Sequence, residues 1–297
     1  MNYTLLNGKE VSENIKEQLK VEVALLKSNK GFAPPHLGIV LVGENGASET
    51  YVKNKIKACQ KIGFEATLYR FEEEISEEQL IAHIKTLNDD NAIDGFIVQS
   101  PLPPHINTRS VIETINPTKD VDGFHPINIG RMALSLPAFK PATPYGITLL
   151  LRHYNIPTVG KNCVVIGRSN IVGLPISILM GLNKEYANAS VTLCHSKTKN
   201  IKEQTLKADI LICAIGQPDF ITADMVKEGA VVIDVGITRV FGNDLDHSYF
   251  LKGDVKFDEV APKCSYITPV PGGVGPMTIA ALLKNTMRAA KLRRLKN

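Results

Sequence analysis

Residues 163–198 hold the arrangement with the clearest chemical purpose. An apolar run, Cys163-Val164-Val165-Ile166, leads into a glycine loop, Gly167-Arg168-Ser169-Asn170-Ile171-Val172-Gly173, then into Leu174-Pro175 and a helical pattern. A second apolar run, Val191-Thr192-Leu193-Cys194, ends in His195-Ser196-Lys197-Thr198-Lys199. A dinucleotide-binding βαβ unit begins in this way. The glycine loop lets backbone approach a pyrophosphate, and the helix N-terminus behind it favours negative charge. An acid at the end of the second strand would accept bonds from the ribose hydroxyls and select NAD. Here the strand ends in hydroxyls and cations, with no acid before Glu203, and Arg168 adds a further charge. That chemistry fits a ribose bearing a 2′-phosphate, so NADP is the expected cofactor. The loop is not G-x-G-x-x-G, and an ordinary strand–loop–helix turn is the competing reading.

A second candidate lies on a predicted helix from about Ala47 to Ile62. At about 100° per residue, Val52, Ile56, Cys59 and Ile62 form one apolar arc. Lys53, Lys57, Gln60 and Lys61 lie opposite. Lys55 falls inside the apolar arc, with Tyr51 and Ser48 one and two turns earlier on nearly the same line. Either Lys55 snorkels at the edge of the stripe, or it is partly withdrawn from water. In the second case desolvation lowers its pKa and supplies a neutral amine for general-base work. Gln99 follows the apolar run Phe96-Ile97-Val98, where its amide could bond a substrate or that amine, or simply satisfy a loop. Asp122, before Gly123, either makes a turn or offers a carboxylate to paired N–H groups of a heterocycle.

Bulk properties narrow the class. At 297 residues the chain has room for roughly two domains. Its net charge of +4 is mild, and the basic stretch Arg288 to Lys296 lacks interleaved aromatics, so no nucleic-acid partner is expected. No apolar run is long enough for a membrane span, and the first residues resemble neither a signal nor a transit peptide. A cytoplasmic protein with no membrane partner is expected. The five cysteines are scattered, without C-x-x-C, and read as reduced packing residues. The histidines show no metal spacing, so no metal is expected.

The elements that must position these groups follow an α/β pattern. Strands are predicted at Leu37–Val42, Phe64–Arg70 and Gly95–Val98, with helices at 47–62 and from Ser76 to about Asn88, where Ser76 and Gln79 form a capping box. Prolines then crowd residues 101–144, which reads as a loop-rich region lining a cleft. A helix around Tyr145–Tyr154 is expected to bridge to a second β-α-β-α-β region. Its later strands are Ile210–Ile215, Ala230–Val235 and Tyr266–Ile267. Gly216 and Gly236 close two of them where a nucleotide needs close backbone approach. Residues 268–278 form a rigid loop before a last helix.

Five motifs along the chain resemble the bifunctional methylenetetrahydrofolate dehydrogenase/methenyltetrahydrofolate cyclohydrolase family over essentially the whole length. They are Ser48–Lys55 (SETYVKNK), Gln99–Pro103 (QSPLP), Lys119–Gly123 (KDVDG), Gly167–Pro175 (GRSNIVGLP) and Pro269–Thr278 (PVPGGVGPMT). The resemblance implies two α/β domains with a cleft between them. Residues 1–144 would bind folate, with helix 278–297 packing back on them, and 145–277 would form a Rossmann-like NADP domain. It also implies a homodimer, and oxidation of 5,10-methylenetetrahydrofolate followed by hydrolysis to 10-formyltetrahydrofolate. By position, Lys55 matches the catalytic lysine, Tyr51 a stacking and positioning tyrosine, Gln99 the amide that tunes the lysine, and Asp122 the acid that anchors the pterin. Gly167, Arg168, Ser169 and Gly173 match the cofactor loop, Ser196 a position near the 2′-phosphate, and Ile237 one near the nicotinamide. Pro271, Gly272 and Gly273 match the loop beside folate. Ser100 and Ala142 depart from the residues common in the family, which leaves fine substrate contacts open. Other readings are a dehydrogenase without the hydrolytic step, a non-catalytic NADP sensor, and an amino-acid dehydrogenase of similar shape.

Overall fold

The computed structural model describes residues 3–30, 32–241 and 249–295. Met1 and Asn2 of the expected leader-free start lie outside the described residues, as do 31, 242–248, and positions 296 and 297 of the expected last helix and basic tail. In chain order the elements are β1 (Thr4–Leu5), α1 (Gly8–Lys30), β2 (His36–Val42), α2 (Gly46–Ile62), β3 (Glu65–Phe71), α3 (Glu77–Asp89), β4 (Gly95–Val98), α4 (Thr108–Thr114), α5 (Pro126–Ala133) and α6 (Ala142–His153). There follow β5 (Asn162–Ile166), α7 (Gly173–Gly181), β6 (Ser190–Cys194), α8 (Ile201–Thr205), β7 (Ile210–Cys213), β8 (Ala230–Asp234), β9 (Thr238–Phe241), β10 (Tyr249–Lys252), α9 (Phe257–Val260), β11 (Cys264–Ile267) and α10 (Val274–Arg294). They form two compact units, one of residues 13–142 and 279–297, the other of 1–12 and 143–278. The first twelve residues group with the second unit because β1 extends its sheet beside β11.

The first unit is built on a parallel three-stranded sheet in the order β3-β2-β4. β2 is central and buried on both faces, which is why its sequence is a continuous apolar run instead of an alternating one. Val40, Val42 and Phe96 of the sheet pack with Leu80, Ile84 and Leu87 of α3 and with Val111 of α4. The helix ends follow side-chain chemistry. Asn45 accepts the N–H groups of Ala47 and Ser48 at 3.1 Å and starts α2, and Gly63, at φ 81°, ends it. Ser76 and Gln79 make the expected capping box on α3. At the other end of α3 the buried Lys119 donates to the carbonyls of Leu87 (2.8 Å) and Asp90 (2.6 Å).

The second unit has a parallel six-stranded sheet in the order β1-β11-β8-β7-β5-β6. Strands β5, β7 and β8 are almost wholly buried, in keeping with their Val/Ile-rich runs. All five cysteines are free and buried. Among the described residues, no helix is long and apolar enough to cross a membrane.

Two stretches hold helix beyond the elements assigned above. Before Leu37, where the sequence reading assigns none, α1 occupies residues 8–30. Its signal is the four-residue repeat Val11, Ile15, Leu19 and Val23, all buried. The proline-crowded region also carries more helix than expected. Pro126 sits in the first turn of α5, where its missing N–H costs nothing.

The C-terminal end of α10 is tied down by a buried carboxylate. Asp94, fully buried, accepts from Arg294 Nε (2.9 Å) and Nη2 (2.5 Å) and from the His36 N–H at 2.8 Å. Asp94→Ala should therefore leave the His36 amide without its partner and strip the Arg294 guanidinium of its counter-ion, leaving it only the Ala33 and Pro34 carbonyls, at a cost of about 3 kcal/mol. Urea denaturation checks this, and a midpoint equal to wild type would refute it.

Candidate active site

Lys55 lies where the helical angles put it, on the inner face of α2. It is 8% exposed, while Lys53, Lys57 and Lys61 face solvent. Its Nζ donates to Gln99 Oε1 at 2.9 Å across 44 positions of sequence. Gln99 stands at the end of β4, fixed by its own N–H on the Val40 carbonyl at 2.8 Å. Its side-chain Nε2 donates to the Ser100 carbonyl at 2.7 Å. The amide is therefore held at both ends, with its oxygen aimed at the lysine. The buried Ser48 hydroxyl donates to the same Ser100 carbonyl at 3.5 Å. Because Ser100 takes part through its backbone, its unusual side chain leaves this network intact.

Burial pulls the Lys55 amine below the ordinary lysine range, and the charge of Asp122 draws it partly back up. Asp122 is itself pushed up to about 6 by burial, against the attraction of Lys55. The two groups are thus electrostatic neighbours.

The loop carrying Asp122 is shaped by a different acid. Asp120, buried, accepts the N–H groups of Gly123 (2.9 Å), Phe124 (3.3 Å) and His125 (2.8 Å) and the Asn128 amide at 2.9 Å. Asn285 of α10 clamps the loop from outside, donating to the carbonyls of Val121 (2.8 Å) and Lys140 (2.9 Å). The Ala142 N–H donates to the Asp122 carbonyl at 3.1 Å, so this second departure also acts through backbone. Sequence reading singled out neither Asp120 nor Asn285 as a positioning group. An Asp near glycine looks like a turn former, and an asparagine inside a helix carries no signal of its own.

In the second unit the chain passes from β5 outward to β6, then crosses to β7 on the other side of β5. The sheet order reverses there, and open parallel sheets take ligands at the C-terminal strand ends of such a point. Gly167 follows β5 with φ 108°, and a Cβ on it would overlap the Ala214 carbonyl beyond β7. Gly173 is equally crowded against Gly167. Ser169 Oγ accepts from the N–H groups of Val172 (3.2 Å) and Gly173 (3.4 Å), closing the loop onto α7. Ile166 and Cys194 are register partners. Arg168 and Ser196, each two residues further on, therefore leave adjacent strands at the same level, and both are exposed. Ile237, just beyond β8, is 37% exposed. Pro271, Gly272 and Gly273 belong to the loop between β11 and α10. Gly273 N–H donates to Pro269 O, and the Gly272 carbonyl accepts from Lys9 N–H, both at 2.9 Å.

The structure thus brings Lys55, Gln99 and Asp122 together in the first unit. Tyr51, one turn before Lys55 on α2, is 37% exposed. Gly167, Arg168, Ser169, Gly173 and Ser196 gather at one edge of the second sheet, and Ile237 follows β8 in the same unit. Pro271–Gly273 belong to this second unit and not to the one that holds Lys55.

Fold and residues together define a class: an α/β enzyme with a dinucleotide-type parallel sheet and a separate unit carrying a desolvated lysine. The comparisons narrow that class. The chain belongs to the tetrahydrofolate dehydrogenase/cyclohydrolase family, whose catalytic-domain model matches residues 6–122 and whose NAD(P)-binding-domain model matches residues 141–294. The bifunctional protein FolD of Cytophaga hutchinsonii is 59% identical over 97% of this chain and 99% of its own. The protein of the same name from Porphyromonas gingivalis is 57% identical over 97% of each. The Campylobacter jejuni FolD methylenetetrahydrofolate dehydrogenase/cyclohydrolase is a structural match with TM-score 0.91 at 48% identity, covering 98% of this chain and 99% of that one. The Trypanosoma brucei enzyme, solved with NADP cofactor and inhibitor, matches with TM-score 0.92 at 36% identity over 98% of each chain.

The electrostatics at Lys55 can be tested directly. Asp122→Asn removes the anion that helps the amine keep its proton, so Lys55 should titrate at lower pH than in the wild type. NMR titration of labelled lysine side chains reads this. An unchanged or raised midpoint would show that the two groups do not interact.

Proposed function

We propose that the protein oxidises 5,10-methylenetetrahydrofolate to the 5,10-methenyl cation with NADP and then hydrolyses that cation to 10-formyltetrahydrofolate, with Lys55 as its central catalytic group. The observation that carries the residue assignment is the Lys55 amine, buried yet bonded to an amide and influenced by a carboxylate. The methenyl product is a delocalised cation. A fully protonated lysine beside it would oppose its formation, whereas an amine already biased toward neutrality does not. In the hydrolytic step that amine assists attack of water on the same carbon and helps protons move as the ring opens. Gln99 holds the amine by its oxygen and leaves the amine lone pair unengaged. Asp122 pairs with the N–H groups of the pterin, and Tyr51 stacks on and positions the substrate. Pro271, Gly272 and Gly273 supply the loop beside the folate.

NADP, when bound, takes up the hydride. The second unit suits it: Gly167 and Gly173 let backbone come close, Ser169 shapes the loop, and Arg168 and Ser196 end adjacent strands with no acid between Ser196 and Glu203. Arg168 pairs with the 2′-phosphate, Ser196 bonds it, and Ile237 packs near the nicotinamide. The family expectation of a cytoplasmic homodimer that feeds one-carbon units to purine biosynthesis completes the proposal, and sedimentation of the purified protein tests the dimer.

Two substitutions separate the roles. Lys55→Met should abolish most hydrolysis of the methenyl compound, followed by its near-ultraviolet absorbance, while NADP titration stays near wild type. Full hydrolysis would remove Lys55 from the mechanism. Arg168→Ala should weaken NADP binding about tenfold with little change for NAD, since a charge-assisted bond is lost only for the phosphorylated ribose. Equal weakening of both would refute the phosphate contact.

A further inference from the structure

Two buried carboxylates in the second unit are absent from the chemistry so far. Asp254 is fully buried and follows the β9–β10 ribbon. It accepts three consecutive backbone N–H groups from the loop after β7: Ile215 at 2.7 Å and Gly216 at 3.2 Å on Oδ2, and Gln217 at 2.8 Å on Oδ1. Asp234, the last residue of β8 and 3% exposed, holds Asp254 in turn. Asp234 Oδ1 accepts from Asp254 N–H at 2.9 Å and from Gly236 N–H at 3.0 Å, while Oδ2 accepts from Val255 N–H at 2.9 Å. The N–H of Asp234 is itself fixed on Thr268 Oγ1 at 2.7 Å.

The surrounding residues are arranged for this relay. A Cβ on Gly236 would run into the Asp254 carboxylate, and one on Gly253 into that of Asp234. Both glycines therefore leave room for a carboxylate to reach backbone. The two loops served, 215–217 and 235–237, extend from the C-terminal ends of β7 and β8, which are hydrogen-bonded neighbours in the sheet. In a parallel sheet these ends face the ligand. Loops without long side-chain anchors would otherwise sample many conformations, and binding would have to order them.

We propose that Asp254, seated by Asp234, is a positioning residue for the dinucleotide: Asp254 presets the backbone of loop 215–217 and Asp234, bonded to it, that of loop 235–237, so that the nicotinamide half is held ready for hydride transfer. This rests on the dinucleotide reading of the second unit. Neither acid touches the reacting atoms. Their effect passes through backbone amides, and a carboxylate is needed because only an acceptor without N–H groups satisfies three donors at once. An asparagine at 254 would turn an NH2 group toward at least one of those donors.

The test uses the full-length enzyme. For Asp254→Asn and Thr268→Val, the dissociation constant of NADPH is measured by nicotinamide fluorescence. NADP-dependent oxidation of methylenetetrahydrofolate is followed alongside hydrolysis of the methenyl compound without dinucleotide. Circular dichroism confirms folding. Asp254→Asn should raise the NADPH dissociation constant about tenfold and lower kcat for oxidation, with hydrolysis within about twofold of wild type. Thr268→Val, which loosens Asp234 without touching Asp254, should shift the same readouts in the same direction by about two- to fivefold. Should Asp254→Asn fail to fold, Thr268→Val alone decides the matter. An unchanged NADPH affinity in a folded variant, or parallel loss of oxidation and hydrolysis, would overturn the proposal. A wild-type enzyme that binds no NADPH would instead overturn the dinucleotide reading on which it stands.

Discussion

A primary amine can serve as a base near neutral pH only where its ammonium form is destabilised, by exclusion of water or by a neighbouring cation. The Lys55–Gln99 bond is the constraint on which the first unit depends. The amine loses hydration on the inner face of α2, and an amide oxygen at 2.9 Å gives back one hydrogen bond without adding a charge. A carboxylate in place of Gln99 would stabilise the ammonium and erase the effect of burial. The carboxylate that is present, Asp122, acts through its charge from another loop, and burial pushes its own pKa up to about 6. The net direction of this balance is a less basic lysine, lowered by burial and only partly restored by the carboxylate.

Much of the unit serves to hold that geometry. Asn45 starts α2 and Gly63 stops it, while the burial of Val52, Cys59 and Ile62 sets the face on which Lys55 lies. Gln99 is fixed because β4 pairs in register with β2. The Asp122 loop is gathered by Asp120 and clamped by Asn285 from α10. Backbone satisfaction by buried side chains is the common device. The same device recurs in the second unit, where Asp254 collects three amides in succession. Acids used in this way keep irregular loops rigid where neither helix nor sheet bonds are available.

Membership of the tetrahydrofolate dehydrogenase/cyclohydrolase family agrees with this division of labour. One unit presents the amine and the other the dinucleotide-type strand ends. A single lysine can serve both proposed steps because oxidation and hydrolysis act on the same carbon. The oxidation needs the amine not to oppose a forming cation, and the hydrolysis needs it to accept a proton. Both demands favour the same depressed basicity.

Local patterns were legible in the residues wherever the physics is local. The 3.6-residue period of α2 placed Lys55 inside the apolar arc, the Ser76–Gln79 spacing marked a helix start, and the apolar runs of β2, β5, β7 and β8 marked strands buried on both faces. The glycine loop and the basic end of β6 pointed to a phosphorylated ribose through charge alone. Helix α1 gives only a weak signal through its Val11–Val23 repeat, because the stripe is one residue wide and the residues between its apolar positions are mostly polar. The roles of Asp120, Asp254 and Asn285 were not legible at all. Each acts on backbone amides or carbonyls that are brought to it by folding, and an acid beside a glycine reads the same in an ordinary turn. The sequence alone determined which groups could do the chemistry. Only tertiary structure decided that Lys55, Gln99 and Asp122 meet, since desolvation and charge coupling exist only once distant segments exclude water together.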